Sequence, residues 1–121
     1  MTLRCLLVDD NEHFLAAARD LLEREGLVVA GTASHIADAV GRAAELGPDV
    51  ALVDINLGGE SGFDLAGRLV PTPVIMISTH SGDDYHDLVE ASPAIGFLSK
   101  LDLSADAVEA MLTGLQESQH G

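Results

Sequence analysis

The stretch Leu6-Leu7-Val8-Asp9-Asp10-Asn11 decides how the rest of the chain is read: a short apolar run stops at an acidic pair, followed by an asparagine suited to cap a helix. The plan recurs. Val50-Ala51-Leu52-Val53 is followed at once by Asp54, Val74-Ile75-Met76-Ile77 by Ser78, and Ile95-Gly96-Phe97-Leu98, one residue further on, by Lys100. Another run, Leu27-Val28-Val29-Ala30, leads only into Gly31-Thr32-Ala33 and brings no ionisable side chain. Each run has strand length and is apolar without alternation, the pattern of strands buried on both faces.

Helical periodicity fills the intervals. Phe14, Leu15, Ala18, Leu21 and Leu22 share one face, with Asn11 as the cap and Gly26 as the stop. Ile36, Ala39, Val40 and Ala43 repeat the pattern behind Ser34 as a candidate cap, ending at Gly47-Pro48. A third helix is predicted over residues 62–70 and a shorter one over 83–91. The last lies behind Ser104 and carries Val108, Met111, Leu112 and Leu115. Five strand-then-helix units predict an α/β doubly wound, five-stranded parallel sheet, being too few to close an eight-stranded barrel. Ligands of such sheets sit outside the carboxyl ends of the strands, at the topological switch point. Strand order 2-1-3-4-5 sets the second strand at an edge, which accounts for its lack of a functional side chain. No linker or repeat interrupts the pattern, so residues 1–121 are expected to form one domain with no output domain attached.

Charge narrows the function. The 121 residues hold 20 Asp plus Glu against 6 Lys plus Arg, a formal charge of −14, which leaves no cationic surface for nucleic acid or for anionic lipid. A hydrophobic content of 47% suffices for one core. The lone cysteine, Cys5, makes no internal disulfide, and the apolar run from Cys5 to Val8 is too short for a signal peptide or a membrane span. A cytoplasmic location is therefore expected. Five of the six basic residues are arginine, and Lys100 is the only lysine.

Three carboxylates, Asp9, Asp10 and Asp54, gathered at one rim are costly: two like charges about 4 Å apart repel by roughly 4 kcal/mol at an effective dielectric of 20. A divalent cation with oxygen ligands relieves this, and Mg2+ suits the site because it takes one or two carboxylates and keeps room for a phosphoryl oxygen. With Lys100 added, the pocket comes near neutrality. A carboxylate there can attack phosphorus, with Lys100 and Ser78 holding the phosphoryl oxygens. Separately, each residue reads as a turn, a cap or a surface group; their joint position at strand ends gives the set its force.

These motifs, Leu7-Val8-Asp9-Asp10-Asn11, Val53-Asp54-Ile55-Asn56-Leu57, Ile77-Ser78 and Gly96-Phe97-Leu98-Ser99-Lys100, resemble the receiver domain of two-component response regulators from Leu3 to about Leu115. The resemblance implies a flavodoxin-like (βα)5 fold. It implies Asp54 as the phosphoacceptor, Asp10 and Asp54 as direct Mg2+ ligands, Asp9 acting through a metal-bound water, and Asn56 contributing its backbone carbonyl. It further implies Ser78 and Phe97 as a coupled switch, and Asn56, Thr79 and His80 as residues that tune the lifetime of the phosphorylated form. The partners it implies are a sensor histidine kinase or phosphotransfer protein and an unknown downstream protein. Departures are visible too. Leu101 follows Lys100 where many receivers carry proline, which puts a cis peptide there in question. Gly58-Gly59, in place of a common proline, predicts a looser loop after Asp54. Thr79 stands where alanine or glycine is usual.

Rival functions fit less well. A phosphatase of the haloacid dehalogenase type needs a second carboxylate two residues after its nucleophile, and Asn56 cannot protonate a leaving group. A dinucleotide or flavin binder needs a glycine-rich loop where the acidic pair stands. A receiver-shaped scaffold that is never phosphorylated is the remaining alternative. From Asp84 onward there are seven acidic residues and one basic residue, Lys100, so the face of the last two helices, if used, is expected to meet a basic or apolar partner surface.

Overall fold

The structure, a computed structural model, describes residues 3–79 and 85–120. Its main sheet comprises β1 (Arg4–Val8), β2 (Val28–Ala33), β3 (Val50–Asp54), β6 (Val74–Ser78) and β7 (Gly96–Ser99), in the order β2-β1-β3-β6-β7 with every neighbouring pair parallel. This is the expected order 2-1-3-4-5. A separate two-stranded antiparallel pair, β4 (Asn56–Leu57) with β5 (Glu60–Ser61), lies between β3 and the helix that follows. The helices are α1 (Glu12–Arg24), α2 (Ile36–Leu46), α3 (Gly62–Leu69), α4 (His86–Ala91) and α5 (Ala105–His120), with a 3-10 turn at Lys100–Asp102.

Alternation along the strands builds two cores. Cys5, Leu7, Val50, Leu52, Ile75 and Ile77 face one side and pack on Leu15, Ala18 and Leu22 of α1 and Val108 of α5. Their neighbours Leu6, Val8, Ala51, Val53, Val74 and Met76 face the other, against Ile36 and Ala39 of α2 and Leu65, Ala66 and Leu69 of α3. Both faces of the central strands are fully buried, which is why their sequences show no polar alternation.

Local signals explain most element ends. Asn11 caps α1, its side chain accepting from the amides of His13 and Phe14, and Gly26 follows the helix at φ +100°. Gly47 ends α2 in the left-handed region at φ 56°. Ser104 Oγ accepts from Ala107 N at 3.0 Å in the first turn of α5. Ser34 is not the cap of α2: His35 occupies that position without a side-chain bond, and the amide of Ile36 donates instead to Glu60 Oε1 at 2.9 Å. The second strand also extends beyond the expected 27–30 to Ala33, along a register that shifts between Cys5 and Leu6. Gly58-Gly59 forms the two-residue turn of the β4–β5 hairpin, not a loose loop. Both glycines have positive φ, 57° and 98°, the combination that tight hairpin turns require at both central positions. The only cis peptide among the described residues is Val70-Pro71, so Lys100-Leu101 is trans.

Candidate functional site

Four neighbouring parallel strands of the sheet end side by side at the functional rim. Asp9 directly follows β1, Asp54 closes β3 and Ser78 closes β6, while Lys100 follows β7. Register aligns them: Val8 pairs with Val53, Asp54 with Ile77, and Ser78 with Ser99. Asp9, Asp54 and Ser78 are the three buried polar residues among those described. Burying carboxylates is unfavourable unless their oxygens are engaged, so the contacts here matter.

One oxygen of each buried aspartate is held by a local backbone amide. Asn11 N donates to Asp9 Oδ1 at 2.8 Å, and Asn56 N donates to Asp54 Oδ1 at 3.2 Å. The other oxygen of each faces Lys100, whose Nζ stands 2.5 Å from Asp9 Oδ2 and 3.2 Å from Asp54 Oδ2. The contact with Asp54 is a hydrogen bond. That with Asp9 is a close ion contact without hydrogen-bond alignment, which leaves Asp9 Oδ2 buried and otherwise unpartnered. The ammonium also sits 4.2 Å from the centre of the Phe14 ring, a cation–π contact supplied by the first turn of α1.

The ionisation states follow from these surroundings. Burial and the nearby Asp9 charge push the Asp54 carboxyl above its ordinary range, and the Asn56 amide and Lys100 only partly oppose this. For Lys100, burial works to lower the pKa, but the Asp9 and Asp54 carboxylates outweigh it and hold the ammonium above its usual value. Lys100 therefore remains charged throughout the physiological range.

Charge counting then exposes a deficit. Asp9, Asp10 and Asp54 each offer a carboxylate oxygen within 4.8 Å of the others. At that separation each like pair costs about 3.5 kcal/mol at an effective dielectric of 20. Lys100 supplies one positive charge, and the arginines are engaged elsewhere. Arg19, Arg24, Arg42 and Arg68 pair with carboxylates four residues away on their own helices, while Arg4 donates to Leu46 O at 2.8 Å. Two negative charges remain at the rim. The buried Asp9 Oδ2, the exposed Asp10 and the all-oxygen donor set fit a hard divalent cation.

Of the residues singled out in the sequence, Asp9, Asp10, Asp54 and Lys100 form this cluster, and Ser78 closes the adjacent strand. Asn56 starts the hairpin and is exposed, as is Thr79; His80 lies outside the described residues. Phe97 lies within β7, half-buried, its ring 6.2 Å from that of Tyr85 and packed in the α2–α3 core. Sequence reading assigned Phe14 only to an apolar helix face, and its position four residues after Asp10 gave no separate signal. It also missed two tertiary contacts of the hairpin region. Glu60 reaches α2, and a Cβ on Gly62 would lie 2.0 Å from the backbone oxygen of Asp54.

Comparison with known proteins identifies the family of the chain. Residues 5–113 match the family described as response regulator receiver domain. The chain is 34% identical over 117 residues to a protein-glutamate methylesterase/protein-glutamine glutaminase of Archaeoglobus fulgidus, covering 88% of this chain but 34% of that protein. It thus spans about a third of the length of that curated relative. Among solved structures, the signal receiver domain of a modulated diguanylate cyclase from Desulfovibrio desulfuricans G20 superposes with a TM-score of 0.78 at 30% identity. That match covers 93% of this chain and 92% of the other. A LuxR-family two-component response regulator from Aurantimonas sp. SI85-9A1 gives a TM-score of 0.84 at 25% identity, over 94% of this chain and 87% of that one.

Proposed function

The chain belongs to the response regulator receiver domain family, and from that premise we propose that its signalling switch is thrown by transfer of a phosphoryl group to Asp54, with Mg2+ held by Asp9, Asp10, Asp54 and the backbone carbonyl of Asn56. The observation that carries this reading is the bridge made by Lys100 between Asp9 and Asp54 in a pocket still short of two positive charges. Mg2+, when bound, supplies the missing charge and offsets that of the phosphoryl oxygens.

The remaining work falls to the chain's own groups. Asp54 attacks phosphorus as the carboxylate, the bond to the donor's leaving group breaks, and the product is an acyl phosphate on Asp54. Asn56 N and Lys100 orient the attacking carboxylate. Once Asp54 is phosphorylated, Lys100 holds a phosphoryl oxygen and the Ser78 hydroxyl takes up another, and Phe97 follows Ser78 inward. Thr79, His80 and Asn56 set how readily water reaches the acyl phosphate. The donor is a sensor histidine kinase or a phosphotransfer protein, and an unidentified downstream protein reads the result. Chemistry at this chain is confined to gain and loss of its own phosphoryl group.

Residues 1–121 act as a single receiver unit in the cytoplasm, a reading supported by a lone cysteine, the buried Cys5, that stays a free thiol. Among the described residues no helix is long and apolar enough to cross a membrane.

Incubation with Mg2+ and acetyl phosphate, or with a phosphorylated histidine kinase, tests the reading by intact mass. One acid-stable, hydroxylamine-labile phosphoryl group is the expected product. An adduct that persists in Asp54→Asn sinks it, and steady release of phosphate from unrelated monoesters identifies a phosphatase instead.

A further inference from the structure

The hairpin β4–β5 joins the pocket to a helix that otherwise contributes nothing to it. On the pocket side, Asn56 N holds Asp54 Oδ1, and Gly58 at the turn lies so close to Asp10 that a Cβ there would be 3.3 Å from Asp10 Oδ2. On the far side, Glu60 pairs with Leu57 across the hairpin and extends its carboxylate to the first amide of α2, Ile36 N, at 2.9 Å. That helix start has no cap of its own, since His35 occupies the N-cap position in extended backbone and makes no side-chain bond. A carboxylate also suits the positive end of the helix dipole. Glu60 therefore satisfies an orphan amide from 24 residues away in sequence.

We propose that Glu60 is a positioning residue for the acidic pocket: by clasping the start of α2 it fixes the hairpin, and through the hairpin it fixes the Asn56 backbone against Asp54 and the Gly58 turn against Asp10. The clasp rests on the Mg2+ reading of the pocket for its functional consequence, but not for its existence. A polar surface residue that served only to stabilise α2 would be replaceable by any local cap. A positioning residue is not replaceable in that way, because a local cap leaves the hairpin untethered.

The test compares Glu60→Ala, Glu60→Gln and the double variant Glu60→Ala/His35→Ser, in which a serine restores a local cap. Two readouts are taken on the full chain: affinity for magnesium chloride by calorimetry, and amide hydrogen exchange in EDTA of Ile36, Asn56 and Gly62, the last donating to Ile55 O at 2.8 Å across the base of the hairpin. Glu60→Ala is expected to bind Mg2+ about tenfold more weakly, the scale at which outer partners of metal ligands act, and to lose protection at all three amides. Glu60→Gln keeps an acceptor oxygen and stays near wild type. The double variant regains protection at Ile36 but not at Asn56 or Gly62, and its Mg2+ affinity stays low.

Three results overturn the proposal: unchanged affinity and hairpin exchange in Glu60→Ala, an equal loss of affinity in Glu60→Gln, or recovery of both readouts in the double variant. If the wild type binds no Mg2+, the pocket reading fails instead. The exchange pattern in EDTA then decides the clasp by itself, through loss or retention of hairpin protection in Glu60→Ala.

Discussion

Replacing Gly62 by alanine tests how tightly the phosphoacceptor strand is braced. Gly62 is the first residue of α3, and its amide donates to Ile55 O at 2.8 Å, so the helix starts directly against the end of β3. A Cβ at this position falls 2.0 Å from Asp54 O, 2.9 Å from Asp54 C and 3.0 Å from Met76 Cε. The Met76 methyl can rotate aside. The Asp54 carbonyl is backbone and cannot, so α3 has to withdraw by about 1 Å or more to restore an ordinary contact. Withdrawal weakens the amide bond to Ile55, worth about 1 kcal/mol. It also disturbs the packing of buried Leu65 and Ala66, a cost of about 1–3 kcal/mol for overpacking.

The expected destabilisation of Gly62→Ala is therefore about 2–4 kcal/mol, measured by urea unfolding monitored by far-ultraviolet circular dichroism, with an unchanged denaturant slope. Gly67→Ala, on the same helix, is the control. Gly67 is exposed with nothing near its Cβ position, so alanine there should stabilise by about 0.5–1 kcal/mol through helix propensity. The same substitution five positions apart thus carries opposite signs. A Gly62→Ala protein within about 0.5 kcal/mol of wild type, below the scale of a single core perturbation, would refute the bracing argument.

In EDTA, Asp54→Asn is expected to raise the melting temperature at pH 7. Burial and Asp9 hold the Asp54 pKa above its unfolded value, so its effect on stability is a penalty that grows as pH rises through the folded pKa. The advantage of the variant should therefore vanish once pH falls below the ordinary aspartate value, and a constant advantage across pH would contradict the assignment. Mg2+ at about 100 times its dissociation constant should stabilise the wild type by about 2.7 kcal/mol. Asp10→Asn should lose most of that gain without losing the fold, because Asp10 is exposed; thermal melts with and without Mg2+ check both. Phe14→Leu keeps an apolar side chain but removes the ring face beside Lys100. It should slow phosphorylation by acetyl phosphate about two- to five-fold, the rate equivalent of a cation–π contact of about 0.5–1 kcal/mol, read by quenched time courses.

The sheet was legible because parallel strands buried on both faces leave a plain signature, an unbroken apolar run that stops where the strand leaves the core. Asp9, Asp54 and Ser78 were legible for the same reason, each being the first polar side chain at or just past such a stop, and Lys100 follows one residue beyond the Ser99 that ends the last run. What escaped depends on contacts remote in sequence. Ser34 is a reasonable cap by composition, yet the amide of Ile36 goes to Glu60, and no local pattern announces a partner 24 residues away. Phe14 meets Lys100 only because α1 and the end of β7 converge at the rim, and Phe14 already had an adequate explanation as part of an apolar stripe. The hairpin has strands of two residues each, too short to carry periodicity, and its glycine pair reads equally well as loose loop or tight turn. Gly62 gave no sign of its closeness to Asp54, since a missing side chain has no pattern of its own.

Locating the phosphoryl group after transfer tests the central claim most directly. The protein is treated with acetyl phosphate in the presence of Mg2+ or of EDTA, and the acyl phosphate is trapped with hydroxylamine and located by peptide sequencing. The account predicts a single modified residue, Asp54, formed with Mg2+ and nearly absent with EDTA. Modification at another aspartate, or equal modification of Asp54 in both conditions, would contradict it.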